Sequence, residues 1–389
     1  MNSFQIMKIN YGKQTIAQKD IKAVTEVLKS DYLTTGPKIK EFENKLSFLM
    51  GSKYSVVVSN GTAALHLVGL VENWSKNDII LTTPISFLAS ANCVIYNNAK
   101  IDFVDVTNDT YTIDPKKLEK KILKINKKKL RAVIAVDYAG HPCDWKNLKK
   151  LSRKYNFKLI NDNCHAIGAK YYNQISYAIK YADYVTHSYH PVKNITSAEG
   201  GAIFTNDKNK YKKLKILRNH GMIKNKDKLS YKMNELGYNY RLSDVQCALG
   251  ISQLSRLNSF IAKRRKIART YTNFLKKYNF IKLPIEKGNC FHAYHLYPIL
   301  IDFNQLKISR KRLIKKLNQE NIFPQIHYFP IHLQPFYKKK FGFKKGDFKI
   351  AEGFYKKEIS LPIYPDLNLK RQNKVLKVLK KSLLNNLKH

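Results

Sequence analysis

The stretch HSYHPVKNITSAEGGAIFTN, residues 187–206, places a lysine where a solvated charge has little reason to be. Lys193 sits between a β-rich run and a glycine pair, flanked by Pro191 and Asn194, so it does not lie on a helix face. A loop lysine attacks aldehydes and ketones once its surroundings lower its pKa from about 10. Other residues with chemical use stand just after short apolar runs. In SNGTAAL, Ser59, Asn60, Gly61 and Thr62 turn tightly into a helical pattern. Free backbone N–H groups and the positive helix end there suit an anion, although the same turn serves as an ordinary cap. Phe87, in PISF, offers a flat plate or a core side chain. Asp162 in NDNCHA puts a carboxylate at a strand end, with His165 three residues on, and Ser188 precedes the lysine.

Taken together these suit one cofactor, pyridoxal 5'-phosphate. The turn would hold its phosphate, the aromatic ring would cover it, and Lys193 would join its aldehyde. A carboxylate facing the pyridine nitrogen keeps that nitrogen protonated, so the ring can accept electrons. A metal centre built from Asp162, Cys164, His165, His187 and His190 is the competing reading. His187 and His190 lie three apart on a strand-like segment and point to opposite faces, and no CxxC or HxxxH spacing supports zinc, so no metal is expected.

The elements that must position these residues follow from the apolar pattern. Strands are expected at 54–58, 78–83, 100–106, 131–138, 157–162, 184–189 and 201–205. Most are continuous apolar runs, as in strands buried on both faces, and helical patterns such as TAALHLVGLV and DWKNLKKLSRKY separate them. The expected class is α/β, a mainly parallel seven-stranded sheet with helices on both faces. RLSDVQCALGISQLSRL opens a long amphipathic helix, with Ser243 and Gln246 spaced as a capping box, and the pattern predicts that it continues unbroken through AKRRKIARTYTNFLKKY. From about 280 isolated strands (AYHLYPILI, EISLPIY) and helices (SRKRLIKKLNQEN, LKRQNKVLKVLKKSLLNN) suggest a smaller C-terminal α+β domain. The expected division is 1–250, an N-terminal segment with the large cofactor-binding domain, and 251–389, a linking helix with the small domain.

Composition narrows the partners. With 389 residues the chain can bury a large core. The N-terminus has no apolar leader pattern, no run is long enough to cross a membrane, and the five scattered cysteines suit a reducing compartment, so a cytoplasmic protein without membrane contact is expected. The net charge of +43 invites a nucleic-acid reading. However, the lysines are spread over the whole chain, arginine is scarce, and no nucleic-acid-binding signature accompanies them, so a solvated basic surface is the better account and no nucleic acid is expected.

With these motifs assembled, the chain resembles the DegT/StrS group of fold-type-I pyridoxal-phosphate sugar aminotransferases. HSYHPVKNITSAEGGAIFTND, SNGTAAL, TTPISF, NDNCHAIGA and YNYRLSDVQCALGISQL carry the resemblance in order over nearly the whole chain. Within the group, DYLTTGP, VDYAGHP, NHGM, YHLYPIL, QIHYFPIH and AEGFYKKEISLPIYPDLNL are most similar to the pseudaminic acid branch. The resemblance implies a fold-type-I aminotransferase that moves an amino group from L-glutamate to carbon 4 of a UDP-4-keto-6-deoxy-N-acetylhexosamine. It implies Lys193 as cofactor anchor and proton carrier, Asp162 on the pyridine nitrogen, His165 near the phenolic oxygen and Phe87 on the ring. Gly61, Thr62 and Ser188 would hold the phosphate. Asn239, in YNYR, would reach the neighbouring subunit's phosphate, which implies a homodimer with shared sites. Tyr11, Leu33, Thr34, Thr35, Gly36, Gln325, Ile326, His327 and Tyr328 would surround the sugar nucleotide, together with Gly61, Ser188 and Asn239. Phe87 and His165 stand where many members carry Trp or Tyr and Gln, and Ala198 where many carry Gly. Other 4-aminotransferases of GDP-perosamine or UDP-bacillosamine type, or a non-catalytic basic nucleic-acid-binding protein, are the alternative readings.

Overall fold

A computed structural model describes residues 8–225 and 230–388. The opening residues 1–7, on which the reading of the N-terminus partly rests, lie outside the described residues. Seven strands form the main sheet: β1 (Tyr54–Val58), β2 (Ile79–Thr82), β3 (Lys100–Phe103), β4 (Leu130–Val136), β5 (Lys158–Asp162), β6 (Tyr184–Ser188) and β7 (Gly201–Thr205). Their order across the sheet is β1-β7-β6-β5-β4-β2-β3. Every neighbouring pair is parallel except those made by β7, which runs opposite to β1 and β6. The expected mainly parallel sheet is therefore present, with all seven strands within a few residues of where the apolar runs put them.

Both faces of the sheet are covered. Val57, Leu81, Val133 and Val185 belong to one apolar cluster, and Val56, Ile80, Ile134 and Ile160 to the other. This two-sided burial is why the strands read as unbroken apolar runs. The helices that matter for the site are α1 (Gln18–Leu28), α2 (Pro37–Met50), α3 (Gly61–Val71), α4 (Ala89–Tyr96) and α5 (Trp145–Tyr155).

The expected single long helix is two. α6 spans Asp244–Leu254 and α7 spans Leu257–Leu275. The capping box at its start is as read: Ser243 Oγ accepts from the Gln246 N–H and Gln246 Oε1 accepts from the Ser243 N–H. The break at Ser255–Arg256 has its cause in α1. Buried Asp20 receives Ser252 Oγ at 2.6 Å, Gln253 Nε2 at 2.9 Å and the Arg256 guanidinium. Turning Arg256 onto that carboxylate takes its backbone out of the helical ladder.

Beyond α7 a three-stranded antiparallel sheet joins β8 (Ile281–Lys282), β9 (Tyr297–Ile301) and β10 (Glu358–Leu361). Helices α8 (Arg310–Gln319) and α9 (Leu369–Leu384) accompany it. Its apolar cluster includes Tyr271, Ile299, Leu313, Ile359 and Leu376, and also Ile9 from the chain start. Residues 9–10 pair in parallel with 322–323. Among the described residues no helix is long and apolar enough to cross a membrane, and all five cysteines are free.

Candidate active site

The carboxyl ends of β1, β2, β4, β5 and β6 share one edge of the sheet, and because β7 is reversed its first residue, Gly201, lies there too. Gly201 pairs with Val58 on one side and Ser188 on the other. A Cβ at Gly201 would fall 2.5 Å from the carbonyl carbon of Asn60 and 2.8 Å from the nitrogen of Gly61. The missing side chain is what lets the β1–α3 turn close against Ser188. At the start of α3, Asn60 Oδ1 accepts from the Ala63 N–H at 2.8 Å, so the N–H groups of Gly61 and Thr62 stay available to a ligand.

The lysine loop is pinned on both sides. The Lys193 N–H donates to the His190 carbonyl at 2.9 Å, Asn194 Nδ2 to the Ile167 carbonyl at 3.2 Å, and Thr196 Oγ1 to the Tyr189 carbonyl at 2.8 Å. No salt bridge or hydrogen bond holds the Lys193 ammonium among the described residues. Burial lowers its pKa, and the nearby Cys164 and Asp162 oppose the shift without cancelling it. An amine so placed spends more time uncharged than a surface lysine.

Asp162 is buried at the end of β5. Ser90 Oγ, on α4, donates to its Oδ2 at 2.6 Å and is itself 2.6 Å from Ser86 Oγ, while the Cys164 N–H donates to Oδ1 at 3.3 Å. His165, three positions beyond Asp162, is also buried. Its Nδ1 accepts from the Ala139 N–H at 3.3 Å, so the ring proton sits on Nε2, which faces the Tyr328 hydroxyl at 3.2 Å. Burial, then the charges of Lys193 and His327, hold its pKa well below the usual imidazole range. The His295 ring lies 4.4 Å from it.

Phe87 is half exposed beside this group, its ring 6.3 Å from that of Tyr328. Tyr11 approaches from the chain start: its ring is 4.9 Å from His327, and a Cβ on the adjacent Gly12 would meet Val192 at 3.2 Å. Gln325 pairs with Ser360 of β10, its side-chain oxygen accepts from the Ile326 N–H, and His327 and Tyr328 follow into the cleft. Lys193, Asp162, His165, Gly61, Thr62, Ser188, Phe87, Tyr11, His327 and Tyr328 thus gather at one edge, with Gln325 and Ile326 at its rim.

Leu33, Thr34, Thr35, Gly36 and Asn239 make no hydrogen bond to these residues within the described chain. Leu33, Thr34 and Thr35 are exposed, and the turn is tied to α6: the Gly36 N–H donates to Asp244 Oδ2 at 2.7 Å and the Asp244 N–H to the Leu33 carbonyl at 2.9 Å. Asn239 is exposed and pairs through its backbone with Asn219. Sequence reasoning missed Ser86, Ser90, Tyr138, His295, Glu358 and Ser360. Only the polar interruption of the apolar run EISL could have drawn attention to the last two. Among the described residues no group of three or more His, Cys, Asp or Glu could hold a metal. His187 is instead buried against Asn163 Oδ1 at 3.0 Å and the Tyr189 hydroxyl at 3.3 Å. A groove of about 640 Å³ beside Phe48 and Leu254 lies elsewhere.

A sheet edge bearing an unpaired desolvated lysine, a buried carboxylate and a glycine-lined helix start defines an aminotransferase of the pyridoxal-phosphate class, and solved structures agree. Helicobacter pylori PseC, described as an aminotransferase involved in the biosynthesis of pseudoaminic acid, superposes with TM-score 0.89 at 34% identity, covering 97% of this chain and 100% of that one. A Streptococcus pneumoniae protein in its PLP form gives TM-score 0.88 at 27% identity, covering 97% and 100%. Residues 14–380 match the DegT/DnrJ/EryC1/StrS aminotransferase family, and the chain belongs to it. The UDP-4-amino-4,6-dideoxy-N-acetyl-beta-L-altrosamine transaminase of Campylobacter jejuni subsp. jejuni serotype O:23/36 is 40% identical over 362 residues, 93% of this chain and 94% of that one.

Pyridoxal 5'-phosphate is the cofactor of this family, and the residues present fit it. At Gly61 a Cβ would come within 2.9 Å of Ser188 Cβ and 3.2 Å of Cys164 Sγ, so only glycine keeps the cradle open beside the free N–H groups. Asp162 is held by donors on both oxygens, which orients a carboxylate to receive a cationic N–H.

Proposed function

We propose that this enzyme transfers an amino group from L-glutamate to carbon 4 of a UDP-linked 4-keto-6-deoxy-N-acetylhexosamine, giving UDP-4-amino-4,6-dideoxy-N-acetyl-β-L-altrosamine, the pseudaminic acid type of product. The observation that carries this reading is the desolvated Lys193 amine, set beside Asp162 in a chain 40% identical over 93% of its length to a transaminase of that name. When bound, the cofactor supplies an aldehyde that takes up amines and a ring that stabilises negative charge on the adjoining carbon.

The chain's own residues do the rest. Nζ of Lys193 would anchor the cofactor and, when free, would carry the proton delivered to carbon 4 of the sugar. Such positioned proton transfer contributes roughly 10²–10⁴-fold in rate. The Asp162 carboxylate keeps a proton on the pyridine nitrogen, with Ser90 and the Cys164 N–H holding its orientation. Gly61, Thr62 and Ser188 would hold the phosphate, with His165 on the side of the phenolic oxygen and Phe87 available to cover the ring. Tyr11, Gln325, Ile326, His327 and Tyr328 line the sugar side.

Leu33–Gly36 and Asn239 act across a homodimer, contributing to the partner's site. Support comes from the exposure of Leu33, Thr34, Thr35 and Asn239 within one chain and from other large apolar side chains left in water, among them Phe48, Tyr231, Met233 and Leu236. For the division into 1–250 and 251–389, support comes from the apolar cluster of the three-stranded sheet, drawn from residue 267 onward apart from Ile9, and for a cytoplasmic setting from the free cysteines.

The test is Lys193→Ala. The variant is expected to lose turnover and the visible absorbance of the protein-linked cofactor, and the parent is expected to aminate the UDP-linked keto sugar in preference to GDP-linked or other isomers. A variant that still transaminates at the parent rate removes Lys193 from its role. A parent that prefers another keto sugar moves the substrate assignment.

A further inference from the structure

His327 hangs beside Lys193 on a chain of buried polar groups that the reaction as described does not use. Its Nδ1 is 2.9 Å from Ser360 Oγ, and Ser360 Oγ is 2.6 Å from Glu358 Oε1. The other carboxyl oxygen, Oε2, accepts from the backbone N–H of His327 at 2.9 Å. Glu358 and Ser360 are fully buried, two apart on β10 and therefore on one face of the strand. Tyr138 donates to the His327 carbonyl at 2.5 Å and the Tyr11 ring packs 4.9 Å from the imidazole, so both backbone and ring plane are fixed. Burial first, and Lys193 second, bring the His327 pKa down to about 3, so the ring stays neutral and carries one proton on one nitrogen.

A serine hydroxyl has a single proton to give. When it goes to an ionised Glu358, Ser360 must accept from Nδ1–H, and Nε2 is a bare lone pair. When Glu358 itself carries a proton on Oε1 and donates it to Ser360, the hydroxyl turns to Nδ1 and the ring proton sits on Nε2. Oε2 remains an acceptor of the backbone N–H in both cases. We propose that Glu358 and Ser360 are positioning residues that decide which nitrogen of His327 is protonated, so that the competent enzyme presents Nε2–H to the cleft as a donor to an oxygen of the nucleotide-linked sugar. The identity of that ligand rests on the proposed function above.

Burial pushes the Glu358 carboxyl up to about 8, against the hydrogen bonds from Ser360 and the His327 N–H and the charge of Arg310. Tyr138 and Tyr328 also face it, and burial raises both well above the phenol range. Across the cleft, burial lowers the pKa of Lys193, with Cys164 and Asp162 opposing the shift. The proton on Nε2 is therefore present at neutral pH and lost under mildly alkaline conditions.

The test uses the holoenzyme of the parent, Glu358→Gln and Ser360→Ala. Nitrogen NMR of the ring, with the His327 signals identified by their loss in His327→Gln, reads the tautomer directly. The expected result is a parent protonated on Nε2 at pH 7 and on Nδ1 at pH 9. In Glu358→Gln the carboxamide N–H replaces the acid as donor, so Nε2–H persists at both pH values. KM for the keto sugar nucleotide is expected to rise roughly tenfold between these pH values in the parent, the effect of one lost hydrogen bond, and to stay level in Glu358→Gln. The single-turnover reaction with L-glutamate should show the same pH profile in both. Ser360→Ala, which cuts the relay without touching the carboxyl, should abolish the tautomer switch. A parent whose tautomer does not change, a switch that survives Ser360→Ala, or equal sugar KM profiles in parent and Glu358→Gln would each overturn the proposal. If no keto sugar nucleotide is aminated at all, the proposed function falls, while the NMR measurement still decides the relay.

Discussion

At the scale of single residues the site is a set of groups whose surroundings have been changed more than their identities. Lys193 is one lysine among many, set apart by the desolvation of its amine and, among the described residues, by having no hydrogen-bond or ion-pair partner for it. Asp162 is kept in place by Ser90 and, through it, Ser86. For Asp162→Asn the amide oxygen can still accept from Ser90, so cofactor absorbance should be retained while turnover falls by roughly 10²-fold or more, the scale of removing one preorganised polar partner. Parent-level turnover in that variant would show that the charge at 162 does no work. Lys193, Asp162, His165 and the Gly61–Thr62 turn were legible in the sequence because each follows the end of an apolar run, where a sheet collects its ligand-binding residues. Ser90 and Glu358 were not. Each reaches the site through a side chain that crosses from another element, and a lone serine or glutamate carries no spacing that announces such a crossing.

At the scale of elements, the reversal of β7 returns the chain to the active edge directly after the lysine loop, so both ends of that loop are hydrogen-bonded to the sheet. The loop includes Ala198 at φ +67°, a left-handed conformation that a side chain makes unfavourable. A glycine there would remove that strain at some entropic cost, so Ala198→Gly is expected to stabilise the fold by about 0.5–1 kcal/mol. Denaturant unfolding monitored in the holoenzyme would detect the gain, and a loss of stability of that size would show the loop to be unstrained. The seven strands could be placed from pattern alone since burial on two faces leaves unbroken apolar runs. The break between α6 and α7 could not. Its cause is the buried carboxylate of Asp20, far away in the chain, acting on Ser252, Gln253 and Arg256 inside a continuous helical pattern.

At the scale of the whole molecule, one chain brings Lys193, Asp162, His165 and the Gly61–Thr62 turn to one edge but leaves Leu33, Thr34, Thr35 and Asn239 exposed. If the partner's Asn239 completes each site, mixing inactive Lys193→Ala with impaired Asn239→Ala subunits should restore activity. In a random mixture half the dimers are hybrid, and each hybrid has one intact site, so recovery should approach about a quarter of the parent value. No recovery after verified subunit exchange would place Asn239 in its own subunit's site or in none. The first described residues bear on the same architecture. Residues 9–10 are stitched to 322–323, the Tyr11 carbonyl accepts from the Ile363 N–H at 2.9 Å, and Gly12 rests on Val192. This strap sews the lysine loop to the C-terminal core. Widening the mouth of the cleft therefore either snaps the seam or drags Tyr11 off His327, so admission of a bulky guest and dismantling of one wall of its berth are a single mechanical event.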